Sequence, residues 1–264
     1  MKFRIERDSL GEVKVPWDAY YGAHTQRSKE NFSISGRRWH PLLIRPIIII
    51  KIACCRANVS LGFLERGKAE AIEQACKELL AGKFKDQFPL DIYQAGSGTS
   101  THMNVNEVIA NRAGEILGKR RGSKGIIHPN DDVNKGQSTN DVIPTSMKMA
   151  SLRALDSLEE QLMLLEKSLR MKGKEFSDIL KSGRTHLQDA VPVTLGQEFS
   201  AYSRAIEKDL VRRERCKENL LELAIGGNAV GTGLNTHPLF RNKVVKELST
   251  LANKRFRAAK DGLE

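Results

Sequence analysis

The stretch SMKMASLRALDSLEEQLMLLEKSLRMKGKEF, residues 146–176, decides the fold class of this 264-residue chain. Its leucines recur at alternating steps of three and four residues, a spacing that places them on one face of a long helix. Such a face is typical of a helix that packs against a partner helix. The leucines of this face are Leu155, Leu158, Leu162, Leu165 and Leu169. The stretch therefore predicts a long helix within a helical bundle.

A second long helix is predicted over about residues 195–223, because its apolar residues also fall on one face. These residues are Leu195, Phe199, Tyr202, Ile206 and Leu210. Shorter helical patterns precede the leucine helix at residues 47–64, 68–80 and 104–117. Pro46, just before the first of these patterns, fits a helix only within its first turn.

Glycine and proline mark the predicted connections between these helices. Residues 1–40 predict a short strand-like start followed by turns, and residues 183–192 and 226–238 predict short loops between helices. The predicted fold class is therefore all-α. We expect a small N-terminal domain over residues 1–137 and part of a long central helical bundle over residues 138–264.

Charge and composition narrow the classes of partner. Lys and Arg number 43 against 32 Asp and Glu, so the net charge of +11 predicts a surface that attracts anions. The basic residues are scattered and only 6% of residues are aromatic, which disfavours a nucleic-acid-binding surface. The most apolar run, residues 42–50, contains Arg45 and Pro46 and is too short to span a bilayer.

The cysteines predict neither a zinc site nor a disulfide framework, since none of them has paired C-x-x-C spacing. They are Cys54, Cys55, Cys76 and Cys216. No signal-peptide pattern follows Met1. We therefore expect a cytoplasmic protein with neither nucleic acid nor membrane as a partner.

Two polar segments precede predicted helices. QAGSGTSTHMNVNE, residues 94–107, has Gly96 and Gly98 for a close backbone turn and hydroxyls around them. HPNDDVNKGQSTND, residues 128–141, leads into the leucine helix. Hydroxyls and backbone N–H groups at a helix N-terminus can bind a carboxylate or phosphate. Ser, Thr and Asp serve equally as helix caps, and Asp141 is one candidate cap.

Two further segments follow the leucine helix. SGRTHLQDAVPVTLGQE, residues 182–198, places His186 where it could take part in chemistry or close a helix end. GGNAVGTGLNTH, residues 226–237, is rich in glycine but follows no strand, which excludes a dinucleotide fingerprint. Together the segments supply hydroxyls, amides and an imidazole, without a P-loop or a metal-ligand cluster. These groups suit the binding of a small polycarboxylate, and we expect neither a metal nor another cofactor.

These segments resemble the class II fumarase and aspartase family. The resemblance rests on GSGTSTHMNVNEVIANRA, HPNDDVNKGQSTNDVIPT, GRTHLQDAVPVTLGQE and GGNAVGTGLNTHP in this order, and on the opening DSLGEVKVPWDAYYGAHTQRSKENFSISG. It implies a mostly helical subunit with a small N-terminal domain, a central bundle and a small C-terminal domain. It also implies a homotetramer that pools the central helices and shares each active site among three subunits.

The resemblance also implies roles for particular residues. Ser97 and Thr99 would hold a carboxylate of a C4 dicarboxylate substrate. Thr185 and His186 would lie beside the reacting carbons, with His186 hydrogen bonding or handling a proton near the leaving group. Another chain would hold substrate through Ser138, Thr139 and Asn140.

The family chemistry is anti elimination through an aci-carboxylate intermediate, whose extra negative charge needs preorganised donors. In the family, the base that removes the proton from carbon is a serine in a segment GSSxMPxKxNP. The 264 residues contain no such segment. We therefore expect a chain that lacks part of the bundle and the C-terminal domain, either as a fragment or as a truncated gene product that is inactive alone.

The motifs leave the departing group open between water and ammonia. GGNAVGTGLNTHP and IHPNDD are more similar to fumarase, and QSTND and AYYGAHT to aspartase; together they favour fumarase. His128, Asn130 and Asp131 resemble a second dicarboxylate site of fumarases, although Gly125 stands where a basic residue is expected. A non-catalytic helical remnant that binds dicarboxylates or partner subunits is the alternative of another class.

Overall fold

A computed structural model describes residues 2–123 and 125–263 of the chain. Within these residues the α-helices are α1 (Ala23–Asn31), α2 (Pro41–Ser60), α3 (Arg66–Leu80), α4 (Thr99–Ile116), α5 (Thr139–Glu175), α6 (Leu195–Leu220) and α7 (Phe240–Ala252). The strands are β1 (Phe3–Asp8), β2 (Gly11–Pro16), β3 (Leu180–Thr185), β4 (Gln188–Thr194), β5 (Glu222–Leu223) and β6 (Arg257–Ala258). The prediction of a mainly helical fold is confirmed.

The strands form short pairs and no larger sheet among the described residues. β1 pairs with β2 and β3 with β4 in antiparallel hairpins, while β5 and β6 pair in parallel. The chain packs as two compact units, Met1–Ala150 with Leu221–Glu264 and Ser151–Leu220. The predicted domains, residues 1–137 and 138–264, follow a different division and stay a prediction.

The first unit is built around α2. Ile47 and Ile50 of this helix are fully buried, and α2 packs against α3 and α7. The helix begins at Pro41, whose fixed φ suits a first helical position, and His40 Nδ1 accepts a hydrogen bond from the Leu42 N–H at 3.2 Å. Because α2 is apolar on nearly every side, it becomes the central helix of the unit.

The start of α2 corrects one prediction. The helix begins at Pro41, six residues earlier than predicted, so Pro46 lies inside the helix and outside its first turn. The cap at His40 and Pro41 fixed the start, whereas the apolar pattern used for the prediction begins only later. Helices α1 and α7 were not predicted, because their apolar faces are short and are interrupted by polar residues.

The segment over residues 183–192 was predicted as a loop, and this prediction is wrong. It forms most of the β3–β4 hairpin. A Cβ at Gly183 would lie 2.7 Å from the Val191 carbonyl oxygen, so glycine permits the close approach of the two strands. The turn lacks the Asn-Gly or Asp-Gly signal by which hairpins are usually predicted.

The second unit joins the C-terminal part of α5 to the β3–β4 hairpin and α6. The two helices approach closely at a pair of glycines, since a Cβ on Gly196 would overlap the Gly173 carbonyl. Ser203 Oγ donates to Glu166 Oε1 at 2.8 Å, so α6 meets a polar stripe of α5. Of the predicted leucine face, Leu155, Leu162 and Leu169 are half-buried, whereas Leu158 is 48% and Leu165 46% exposed.

No helix of the described residues is long and apolar enough to cross a membrane. Cys54, Cys55 and Cys76 are buried thiols, and Cys216 is exposed.

Candidate active site

The loop before α4 gathers hydroxyls at the start of that helix. Gly98 has φ +89°, and a Cβ there would lie 2.8 Å from the Trp39 ring, so the turn needs glycine. Gln94 fixes the loop, since its Nε2 donates to Thr101 Oγ1 at 2.8 Å and its Oε1 accepts from the Thr101 N–H at 2.7 Å. At the positive N-terminal end of α4 lie the two predicted residues, exposed Ser97 and half-buried Thr99.

A capping box starts α5. Ser138 Oγ accepts from the Asn140 N–H at 3.3 Å, and Asp141 Oδ1 accepts from the Ser138 N–H at 3.0 Å. The prediction that Asp141 caps this helix is confirmed. Thr139 follows the cap directly and is half-buried. Asn140 is exposed, and its Nδ2 donates to the Ala229 carbonyl at 2.7 Å.

Asp141 also holds the glycine-rich segment in place. Its Oδ2 accepts from the N–H groups of Gly226 at 3.1 Å and Asn228 at 2.9 Å. Burial raises the pKa of Asp141 to about 6, although these backbone hydrogen bonds act in the opposite direction. The segment over residues 226–237 is therefore bound to the start of α5.

A buried polar network, which sequence reasoning missed, contacts Thr139. Lys51 of α2 is fully buried, and its Nζ lies 2.7 Å from His102 Nε2, 2.8 Å from Asn134 Oδ1 and 2.8 Å from Gln137 Oε1. His102, 1% exposed, places its Nδ1 2.8 Å from Thr139 Oγ1. The signal in the sequence was a lone lysine inside the apolar run IIIIKIACC, residues 47–55.

Burial perturbs both basic groups of this network. It lowers the pKa of Lys51 from 10.5 to about 7, with nearby Asp141 acting weakly against it. Burial and the adjacent Lys51 charge hold the pKa of His102 well below its ordinary value. His102 is therefore a neutral imidazole at physiological pH.

The network links the starts of the two helices that carry predicted site residues. His102 lies in the first turn of α4 and contacts Thr139 in the first turn of α5, so the two helix starts are neighbours within one chain. A second chain is not needed to join them, although the resemblance predicted that Ser138, Thr139 and Asn140 come from another chain. Two positive helix ends lined with hydroxyls can bind a carboxylate.

His186 and Thr185 lie in the other compact unit, at the tip of the β3–β4 hairpin. His186 and Leu187 form its two-residue turn with φ +48° and +63°, a left-handed conformation that costs about 1–2 kcal/mol for each side-chain-bearing residue. His186 is exposed, as is Leu187 at 92%. His186 therefore does not close a helix end.

The predicted second dicarboxylate site lies on a π-helical turn, Pro129–Val133. His128 caps this turn, because its Nδ1 accepts from the Asp131 N–H at 3.1 Å. His128 and Asn130, but not Asp131, line a cavity of about 580 Å³. Its walls also include Glu6 and buried Glu107 together with Arg7 and Arg27, so the lining carries groups of both charges. The second dicarboxylate site stays a prediction.

The profile of a family described as lyase matches residues 11–261. The chain belongs to this family of lyases, which includes the class II fumarases and aspartases. The resemblance of its motifs is confirmed. Class II fumarate hydratase of Nitrosomonas europaea is 50% identical over 264 residues, which are 100% of this chain and 57% of that protein. The Halobacterium salinarum protein of the same name is 50% identical over 99% of this chain and 56% of its own length.

Solved structures of lyases have the same fold. A fumarate lyase:delta crystallin from Brucella melitensis, bound to cobalt, matches with a TM-score of 0.95 at 43% identity, over 100% of this chain and 58% of that one. Recombinant class II fumarase from Schistosoma mansoni matches with a TM-score of 0.91 at 37% identity, over 99% and 58%. This lyase chain thus spans a little over half the length of the relatives it matches.

Proposed function

We propose that this protein is a lyase of C4 dicarboxylates that adds water reversibly to fumarate to give malate. The observation that carries the proposal is the meeting of the α4 and α5 starts, where His102 Nδ1 lies 2.8 Å from Thr139 Oγ1. Relatives that are 50% identical over the residues they share with this chain are named class II fumarate hydratase, which favours water over ammonia as the added group.

The two helix starts suit the charge of the proposed intermediate. Substrate carboxylates would accept hydrogen bonds from backbone N–H groups and from hydroxyls on both loops. Removal of a proton next to a carboxylate adds negative charge there, and donors already in place stabilise it without reorganisation. Loss of one such donor typically costs about 10² to 10³ in rate. The donors are Ser97, Thr99, Ser138, Thr139 and Asn140.

We assign Thr185 and His186, contributed by another subunit as the family resemblance implies, to the reacting end of the substrate. An exposed imidazole on a strained, tight turn is accessible to a ligand and is held in one backbone conformation. It would donate or accept the proton of the departing water. The carbon base is expected on GSSxMPxKxNP, which these 264 residues lack, so turnover should need that segment as well.

The leucine face of α5 supports assembly with other subunits. Leu158 and Leu165 are about half exposed, so part of this apolar face is not covered within the described residues. An apolar face of this kind is typical of an interface between helices. We propose that it packs against further subunits of a homotetramer. The cytoplasmic location of the protein and its lack of a nucleic-acid partner also stay predictions.

The test follows the ultraviolet absorbance of fumarate with malate or aspartate as substrate. It uses this chain alone and this chain joined to the C-terminal part of the Nitrosomonas europaea relative. We expect malate turnover only by the joined protein, with Thr139→Val losing at least tenfold in kcat/KM and Thr139→Ser, which keeps the hydroxyl, losing little.

Each other outcome has a definite meaning. Turnover of aspartate but not malate would make the protein an aspartate ammonia-lyase. Turnover by this chain alone would refute the need for the serine segment. If the joined protein binds fumarate but turns over neither substrate, a non-catalytic dicarboxylate-binding role replaces the proposed activity.

A further inference from the structure

The Nζ atom of Lys51 contacts three side chains that can accept a hydrogen bond. The Asn134 amide must point its oxygen toward Nζ, because its Nδ2 donates to the Gln137 carbonyl at 3.3 Å. The Gln137 amide is fixed in the same way, because its Nε2 donates to the Val133 carbonyl at 3.1 Å. Two of the three ammonium N–H groups therefore go to amide oxygens, which leaves one for His102.

The third contact decides the tautomer of His102. When Lys51 is an ammonium it has no lone pair, so His102 Nε2 must accept its third hydrogen bond at 2.7 Å. A neutral imidazole that accepts at Nε2 carries its proton on Nδ1. That N–H then donates to Thr139 Oγ1 at 2.8 Å. With its oxygen occupied in this way, the Thr139 hydroxyl is left to donate its own hydrogen elsewhere.

We propose that Lys51 is a positioning residue that, through the tautomer of His102, makes the Thr139 hydroxyl a hydrogen-bond donor toward a bound carboxylate. The inference rests on the proposed function for its last step, the carboxylate. Neither Lys51 nor His102 touches substrate in this arrangement. Both set the direction of a hydroxyl that does.

Loss of the Lys51 proton reverses the direction of the chain of hydrogen bonds. A neutral amine has a lone pair, which accepts from a protonated His102 Nε2. His102 Nδ1 then becomes an acceptor for the Thr139 hydroxyl, which turns away from the carboxylate. The titratable groups that face Lys51 are His102 of α4, Asp141 of α5, and the thiols Cys54 of α2 and Cys76 of α3. Only Asp141 carries a charge near neutral pH, and it favours the ammonium.

The tautomer can be read without substrate from the 15N chemical shifts of labelled histidine in the full 264-residue chain. The His102 signals are assigned by their loss in His102→Asn. We expect the Nδ1–H form at pH 6, and conversion to the Nε2–H form by pH 8.5. Lys51→Met should remove the dependence on pH. An Nε2–H form at pH 6, or a tautomer unchanged by Lys51→Met, would overturn the proposal.

Two substitutions of His102 separate positioning from packing. Asn places its amide donor where Nδ1 was and keeps the hydrogen bond to Thr139, whereas Gln places its amide where Nε2 was and keeps only the contact with Lys51. We expect the fumarate dissociation constant at pH 6, from NMR titration of the chain, to change less than threefold in His102→Asn. It should rise about tenfold or more in His102→Gln, as for loss of a hydrogen bond to a charged group.

The outcomes distinguish this inference from the proposed function. Equal losses in the Asn and Gln variants would mean that His102 acts through packing, and would overturn the positioning role. If the unsubstituted chain binds no fumarate while the tautomer behaves as expected, the role toward a carboxylate fails in this chain, and the proposed function is decided separately by malate turnover of the joined protein. The Lys51 control of the tautomer would then stand on the nitrogen shifts.

Discussion

Replacing Lys51 by methionine should change how the stability of the protein depends on pH. Burial lowers the pKa of Lys51 from 10.5 to about 7. Between these pH values the unfolded chain binds a proton at this lysine that the folded chain does not bind, so the free energy of unfolding rises with pH. The slope approaches about 1.4 kcal/mol per pH unit well above pH 7. Methionine keeps the length and removes the titration.

The pH range for this measurement ends below pH 9, because at higher pH the buried thiols make the free energy of unfolding fall as pH rises. The pKa values of Cys54 and Cys76 are raised well above 9.0 by burial. Above that pH the unfolded chain loses thiol protons that the folded chain keeps, and stability falls. Between pH 7 and 8.5 the free energy of unfolding of the wild type should therefore rise by about 1.5 to 2 kcal/mol relative to Lys51→Met.

Urea unfolding followed by circular dichroism at pH 7.0, 7.5, 8.0 and 8.5 measures this difference by linear extrapolation. Each pH needs both proteins, because titrating groups that are remote from the Lys51 charge are common to them and cancel in the comparison. A constant difference across the window would show that Lys51 titrates far from pH 7. The reversal of the His102 tautomer by pH 8.5 would then lose its physical cause.

Three further results should follow from the structure. Gly98→Ala should destabilise the protein by about 1–3 kcal/mol in urea unfolding, because of its left-handed φ and the Trp39 ring, whereas Gly114→Ala, which has open space on the same helix, should not. Burial raises the pKa of Asp141 from 3.8 to about 6, so the folded chain keeps a proton that the unfolded chain has lost. Relative to Asp141→Asn, the wild type should lose about 2 kcal/mol of stability as pH rises from 4 to 6, and a flat difference would contradict the raised pKa. Replacing Leu158 and Leu165 by glutamate should lower the mass in sedimentation and leave helix content unchanged; an unchanged mass would refute assembly through this face.

Helices with a long periodic pattern could be predicted from the sequence, and α6 begins at Leu195 as predicted, but the starts of α2 and α5 could not. The apolar periodicity of α5 is unmistakable after residue 146, yet the helix begins at Thr139 because Ser138 and Asp141 cap it. Similarly, Pro41 and its cap start α2 ahead of its apolar run. Capping depends on individual side chains that also occur in loops, so it carries less information than a repeated spacing.

The residues of the candidate site also differ in whether the sequence alone could predict them. The places of Ser97, Thr99 and Thr139 at helix starts could be predicted, because hydroxyls before helices form a pattern along the chain. Lys51 and His102 could not, since their function depends on contact between residues 51 positions apart. A lysine in an apolar helix is a visible anomaly in the sequence, but only the fold identifies its partners.

Two features that cost free energy concern the candidate site. A fully buried lysine and a left-handed turn made of His186 and Leu187 each cost free energy, and other residues would relieve that cost without changing the fold. The fold tolerates these costs because local sequence and structure agree elsewhere. For example, α5 is capped, and glycines stand where the backbones of α5 and α6 approach closely. If packing alone decided residue 51, methionine would serve better than lysine. In our proposal the ammonium sets the direction of the hydrogen bonds of His102 and Thr139. The pH dependence of stability and the His102 tautomer should therefore change together in Lys51→Met.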